Sequence, residues 1–319
     1  MDRALISGPG AEWADEFLAY GEWVTAHTSG STGRPKEIRL LKSDMIASAL
    51  ATCRFFGIGP ESRLVCPLST DYIAGKMMVV RALVSGARLE LVRPSTSPLG
   101  EWHGEGRIAL LPVVPSQVEA LLADPKLAQV DNLLVGGGEL SRADAQALTA
   151  AGINTRSSYG MTETCSHVAL KRVGEQEFTA LPGVSFETDE RGCLIINVPR
   201  MSVKRLVTND QVRLTGPDRF VWLGRHDNVI NSGGVKIHPE DDERVLAPYL
   251  GDTRFYITSR PSQKWGREAV MVVLDSAMTD EELLAACAAH LPRYHVPKAV
   301  IHDMQPQFTA SGKLLRRKY

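Results

Sequence analysis

The chain has 319 residues, 44% apolar and 23% charged, with 36 basic and 37 acidic side chains for a net charge of −1. That apolar fraction is enough for a sizeable core, the length favours about two domains, and the charge balance lacks the basic excess of a nucleic-acid binder. Five scattered cysteines with no CxxC pair argue against a disulfide framework or zinc site and fit a reducing cytoplasm.

Along the chain, Met1 to Pro9 has no long apolar run, so no secretory leader is expected. The run from His27 to Lys36 follows, with hydroxyls at Thr28, Ser29, Ser31 and Thr32 and glycines at Gly30 and Gly33. Its permissive backbone can aim N–H groups at one anion and Lys36 adds a full charge, so it is read as a phosphate-binding loop. It lacks the Gly-Lys-Ser/Thr ending of a Walker loop. Residues 44–57 are predicted as a helix with Met45, Ile46, Ala49, Leu50 and Cys53 on one face, capped by Ser43 or Asp44. A strand at 63–68 and a helix at 73–85 come next. The stretch from Ile73 to Val84 carries Lys76 and Arg81 and is too short to span a bilayer, so no stable membrane insertion is expected. Strands are predicted at 87–92 and 108–111, and a helix at 115–123 opened by Pro115. A strand at 132–135 runs into Gly136, Gly137 and Gly138, and a helix at 141–151 is capped by Ser141.

This alternation implies a parallel α/β sheet, with ligands held beyond the carboxyl ends of its strands. From about residue 183 the texture changes to short β-rich runs at 193–198, 203–207, 212–214 and 220–223. Beyond Gly224 to Asp227 come a helix at 239–247, strands at 254–258 and 269–274, and a helix at 279–290. The fold class expected is α/β: a large N-terminal α/β domain (1–226) with a small β-rich subdomain, plus a small α+β C-terminal domain (227–319).

Four more segments carry chemistry. Tyr159, Gly160, Thr162 and Glu163 offer a ring to stack on a base, a hydroxyl for a phosphate and a carboxylate for Mg²⁺. Asp210, read at a strand end, can accept from both ribose hydroxyls; a plain turn aspartate is the alternative. Arg225 and Asp227 precede Ser232, Gly233, Gly234 and Lys236; a surface ion pair is the competing reading for the first two. Lys313 sits in a tail after Gly312 and alone would be a solvated lysine.

Together, in this order and spacing, these five segments resemble the adenylate-forming superfamily of acyl- and aryl-CoA ligases, peptide-synthetase adenylation domains and luciferases. The likeness runs from about residue 25 to the C-terminus. It implies ATP, Mg²⁺ and coenzyme A as cofactor and substrates. By that resemblance Thr28 to Lys36 cradle the β,γ-phosphates, and Gly136, Gly137, Gly138, Glu139 and Tyr159 flank adenine. Thr162 contacts the α-phosphate, Glu163 holds Mg²⁺, and Asp210 and Arg225 hold the ribose. Asp227 is the hinge of a mobile C-terminal domain, Lys313 enters the site during adenylation, and Ser232 to Gly234 with Lys236 line the thiol tunnel. The chain departs from the family in having little sequence before the phosphate loop, and is read as a minimal enzyme.

Cys66 to Leu83, Tyr159 to His167 and Asn228 to Lys236 look like the matching stretches of o-succinylbenzoate–CoA ligases of menaquinone biosynthesis. That likeness implies a small aromatic dicarboxylic acid as partner, with Ala74 and Gly75 in its pocket and Arg81 neutralising the second carboxylate. A buried carboxylate needs such a basic partner. A structural ion pair is the alternative for Arg81, and a satisfied, half-buried histidine for His167, which otherwise lines the same pocket. Lys76 points about 140° away from Arg81 around the helix and is expected at the surface. Another aromatic or fatty acid, a carrier-protein thiol and a non-catalytic nucleotide-binding relative stay open, and a homo-oligomer is compatible with the sequence.

Overall fold

The computed structural model describes residues 1–27, 37–307 and 314–319. The phosphate loop from Thr28 to Lys36 and the segment 308–313, with Lys313, lie outside the described residues. Two compact units are present. The first comprises Met1–Phe186, Ile196–Leu206 and Gly216–Arg219, and the second Glu187–Ile195, Val207–Thr215 and Phe220–Tyr319.

The first unit begins with β1 (Ile6–Ser7), α1 (Trp13–Leu18), β2 (Trp23–His27), β3 (Glu37–Leu41), α2 (Lys42–Phe56), β4 (Arg63–Cys66), α3 (Ile73–Ser85) and β5 (Arg88–Leu91). It continues with β6 (Leu111–Val113), α4 (Val118–Leu122), β7 (Asn132–Val135), α5 (Arg142–Ala150), β8 (Asn154–Gly160), β9 (His167–Arg172) and β10 (Glu177–Ala180). Strands β1, β5 and β4 form a parallel ladder, and β6, β7 and β8 a second one. The pairs β8–β9 and β9–β10 are antiparallel. Trp102, Leu111, Val113, Leu133, Val135 and Leu148 fill the core beside the second ladder. Near-continuous apolar strands such as β7 (Asn-Leu-Leu-Val) suit a parallel sheet covered on both faces.

Several boundaries differ from the sequence pattern. Helix α2 starts at Lys42 with Leu41 as its cap and no side-chain capping bond. Asp44 is not a cap; it accepts from the amide of Ser202 at 3.0 Å and from that residue's hydroxyl. The strand expected at 108–111 lies at Leu111–Val113, and Ile108 and Leu110 make only isolated bridges. Pro115 opens a 3-10 turn that leads into α4. Ser141 does cap α5, accepting from the amide of Asp144 at 3.0 Å.

After β11 (Ser185–Thr188), the second unit takes in most of β12 (Cys193–Asn197), β13 (Arg205–Gly216) and β14 (Arg219–Arg225), neighbours in that order. It goes on through β15 (Ile230–Ser232), β16 (Val235–Ile237), α6 (Pro239–Leu246), β17 (Arg254–Ser262), β18 (Gly266–Asp275), α7 (Asp280–His290) and β19 (Val300–His302). These last strands run in the order β16-β15-β18-β17, with β19 parallel to β18. Ile237, Leu246, Ile257, Met271 and Leu283 close a separate core. Helix α7 opens with a reciprocal capping box between Thr279 and Glu282. The architecture is mixed α/β with multi-strand sheets. Among the described residues no helix is long and apolar enough to cross a membrane.

Candidate active site

In the first unit, β7 and β8 are parallel neighbours with Val135 opposite Ser157. The glycines from Gly136 to Gly138 follow the carboxyl end of β7, and Tyr159 lies near that of β8. The Ser158 hydroxyl donates to the Val135 carbonyl at 3.0 Å, tying the two strand ends together. The Tyr159 ring sits 5.8 Å from that of Phe178. This is where an open parallel sheet offers a ligand site. Glu139 follows within the same loop.

Gly160 is required by close approach. A Cβ there would stand 2.4 Å from the Ser166 carbonyl oxygen and 2.5 Å from the α-carbon of His167. The ladder shifts register between Tyr159 and Gly160 at this point. The chain then turns through a 3-10 segment, Thr162–Thr164, with Thr162 buried and Glu163 half-buried. Cys165 adopts φ 61° and ψ −43°, and the Ser166 amide bonds the Thr164 carbonyl at 2.7 Å, a strained γ-turn. Glu163 has no hydrogen-bond or ion-pair partner among the described residues. A half-buried carboxylate in that state suits a hard cation with oxygen ligands, so the donor present fits Mg²⁺.

Beside this turn, α2, α3 and β9 bring Thr52, Arg81 and His167 together. Arg81 is 3% exposed, and burial lowers its pKa to about 10. Its Nη1 donates to the sulfur of Met78 at 3.3 Å, and its Nε has no hydrogen-bond partner. No carboxylate pairs with it among the described residues, so the ion-pair alternative finds no partner there. His167 is buried, with Nε2 3.1 Å from the Thr52 hydroxyl. Burial first, then the charge of Arg81, holds its pKa well below 6.5, so the ring is neutral. The Ser48 and Ser166 hydroxyls, 2.8 Å apart, make a second link between α2 and the segment before β9.

Thr52 and Ser48 do not stand out in the sequence. The buried face of α2 takes in Asp44, Ser48 and Thr52, whereas Ile46 and Leu50 are only half-buried. Polar residues one and two turns along from a buried aspartate are the signal that was available. Gly75 is buried and Ala74 exposed, both in the first turn of α3 and nearly two turns from Arg81. Lys76 is not at the surface: it is buried, with Nζ 4.6 Å from the Trp13 ring centroid. The cause is α1, which packs over α3.

In the second unit, Asp210 lies inside β13 and not at a strand end, since the two short runs predicted there merge into one strand. Arg225, at the end of β14, reaches Asp210 at 3.5 Å and Asp227 at 3.1 Å. Asn209 also approaches Asp227, at 3.5 Å. Asp210 is buried, so its carboxylate is fixed next to a guanidinium that is one-third exposed. Ser232, Gly233, Gly234 and Lys236 belong to the β15–β16 hairpin. Both central glycines have positive φ, 58° and 89°, as a tight two-residue turn demands. The Trp265 carbonyl accepts from the Gly233 amide at 2.9 Å.

Comparison with known proteins extends these observations. The AMP-binding enzyme family profile matches residues 24–194. The 2-succinylbenzoate–CoA ligase of Listeria monocytogenes is 25% identical, over 92% of this chain and 68% of the ligase. Its counterpart from Enterococcus faecalis is 27% identical over the same shares. Among solved structures, an acyl-CoA synthetase (AMP-forming)/AMP-acid ligase II-like protein from Dyadobacter fermentans has a TM-score of 0.65 at 31% identity, covering 96% of this chain and 91% of that one. O-succinylbenzoate coenzyme A synthetase from Bacillus subtilis, solved with ATP and magnesium, has a TM-score of 0.80 at 21% identity, over 92% and 68% of the two chains, which speaks for the fold alone.

Proposed function

The chain belongs to the AMP-binding enzyme family, and from that premise we propose that it is an ATP- and Mg²⁺-dependent acid–CoA ligase whose acid is o-succinylbenzoate. The names of its relatives support the reaction class. The observation that carries the choice of acid is Arg81: a buried guanidinium with an unbonded Nε and no carboxylate partner among the described residues. Such a charge is costly when unpaired and attractive to an incoming carboxylate. A dicarboxylic acid supplies one, whereas a fatty acid calls for an apolar tunnel.

In the first half-reaction a carboxylate oxygen of the acid attacks the α-phosphorus of ATP. The bond to the β-phosphate oxygen breaks and pyrophosphate leaves. In the second, the thiol of coenzyme A loses its proton and attacks the acyl carbonyl, and AMP departs. The first step brings two anions together, so positioning and positive charge dominate its catalysis. Thr28 to Lys36 hold the β,γ-phosphates, Thr162 orients the α-phosphate, and Lys313 brings a positive charge to it. Glu163 holds Mg²⁺, which when bound neutralises phosphate charge. Gly136 to Glu139 and Tyr159 contact adenine, and Asp210 and Arg225 hold the ribose. Residues 227–319 turn about Asp227 to deliver and then withdraw Lys313, and the β15–β16 hairpin with Lys236 lines the thiol path. A reducing cytoplasm suits five cysteines that are all free and buried.

The test is thioester formation with ATP, Mg²⁺ and coenzyme A across o-succinylbenzoate, benzoate, a coumarate and a medium-chain fatty acid. Preference for o-succinylbenzoate is expected. Activity on another acid alone would keep the ligase and remove the acid. No AMP release with any of them would overturn both.

A further inference from the structure

Residues 314–319 are bound along β17 by contacts that the proposed chemistry does not use. The Leu315 amide donates to the Gln307 carbonyl at 2.8 Å, and the Arg317 amide to the Tyr256 hydroxyl at 3.3 Å. The Thr258 hydroxyl donates to the Arg317 carbonyl at 2.8 Å, and the Tyr319 amide to the Ser259 carbonyl at 3.1 Å. At the centre is Arg316. Its Nη1 and Nη2 grip the two oxygens of Glu243 at 2.5 and 2.6 Å, and its Nε lies 3.9 Å from Glu240. Glu240 and Glu243 stand one turn apart on α6, so a single guanidinium is held by a two-carboxylate clamp.

The same clamp reaches the segment around Asp227. The Asn228 amide nitrogen donates to Glu240 Oε1 at 2.5 Å. Glu240 is 5% exposed, and its other oxygen has no partner among the described residues. Lys318 Nζ donates to the backbone carbonyl of Asp227 at 2.9 Å. The direction of that carbonyl is set by ψ of Asp227, a torsion that a hinge at this residue would turn. The Lys318 bond is therefore made in one setting of that torsion and lost in others.

We infer that Arg316 and Lys318 are positioning residues for the adenylation half-reaction: the Glu240–Glu243 clamp on Arg316 fixes the tail that carries Lys313, and Lys318 ties that tail to the hinge. Lys313 is three residues before Arg316. A three-residue span reaches at most about 11 Å, so the clamp confines where Lys313 can act. An Arg fork on a carboxylate fixes direction as well as distance, which a lysine cannot reproduce. The inference rests on the role given above to Lys313.

Arg316→Lys keeps the charge within the clamp and loses the fork, and Lys318→Met alters an exposed side chain. Each is measured for pyrophosphate exchange with o-succinylbenzoate, for thioester formation from supplied acyl-adenylate, and for thermal midpoint. Arg316→Lys is expected to slow exchange about tenfold and Lys318→Met about threefold, with thioester formation within about twofold of the parent. In a Lys313→Ala background, Arg316→Lys is expected to add no further loss, because it acts through the missing lysine. Equal losses in both half-reactions, unchanged exchange, or a loss that multiplies with Lys313→Ala would each overturn the inference. If Lys313→Ala alone leaves exchange intact, the role of Lys313 falls and the inference with it. If Lys313→Ala abolishes exchange but the other two variants do nothing, the inference falls alone.

Discussion

Nε2 of His167 lies 3.1 Å from the Thr52 hydroxyl, in a buried position where a proton on the ring is opposed by burial and by the charge of Arg81. Its pKa in the folded protein is thus depressed below the ordinary 6.5. As pH falls through 6.5 the unfolded chain takes up a proton that the folded chain refuses. The contribution of His167 is intact above that pH and is lost below it, by up to about 1.4 kcal/mol per pH unit. His238 is depressed as well, again mainly by burial, so a difference measurement is needed. Urea unfolding at pH 7.5, 6.5 and 5.5 should show a shallower acid loss for His167→Gln than for the parent. Parallel curves would mean that the imidazole titrates normally.

Arg81→Met should separate binding from folding. Removing an unpaired buried guanidinium and keeping an apolar stem costs little stability and can raise it. A charge-assisted bond to the second carboxylate is worth roughly 1.5–3 kcal/mol, so KM for a dicarboxylic acid should rise by about one to two orders of magnitude. A monocarboxylate analogue should be nearly unaffected. Equal losses on the two acids would show that Arg81 does not read the second carboxylate.

The rungs of the α/β ladder were legible because their signals are local. The window 73–85 is helical because an apolar run there is closed by Gly86, and Ser141 marks the start of α5 by its own hydroxyl. What was not legible depends on partners distant in sequence. Lys76 is buried because α1 covers it, and Asp44 serves Ser202, 158 residues away. Asp210 looked like a strand end because polar residues interrupt the apolar pattern, yet strand pairing carries β13 through it. The pairing of Arg225 with Asp210 likewise joins residues that only the fold brings together, whereas its pairing with Asp227, two residues on, was open to the sequence.

Gly160→Ala tests the turn that presents Thr162 and Glu163. The added methyl would meet the backbone of Ser166 and His167 at 2.4–2.5 Å. Backbone atoms in a ladder cannot move aside as a flexible side chain would, so a cost of about 1–3 kcal/mol is expected. Displacement of Thr162 should also slow acyl-adenylate formation by about 10²-fold. A thermal midpoint and exchange rate equal to the parent's would show that the ladder at Tyr159–Gly160 yields.

Arg225→Ala examines the second unit. Its contacts to Asp210 and Asp227 are partly exposed ion pairs, each worth no more than about 1 kcal/mol to folding. The thermal midpoint should therefore move little. If Arg225 and Asp210 hold the ribose, the loss of one hydrogen-bonding charge should raise KM for ATP by about tenfold or more in pyrophosphate exchange. Asp210→Asn retains the shape and one acceptor, so it should cost less than Arg225→Ala and leave Arg225 less constrained. An unchanged KM for ATP in both variants would reduce the cluster to a surface ion pair. A midpoint lowered by many degrees in Arg225→Ala would instead make it a structural strut of β13 and β14.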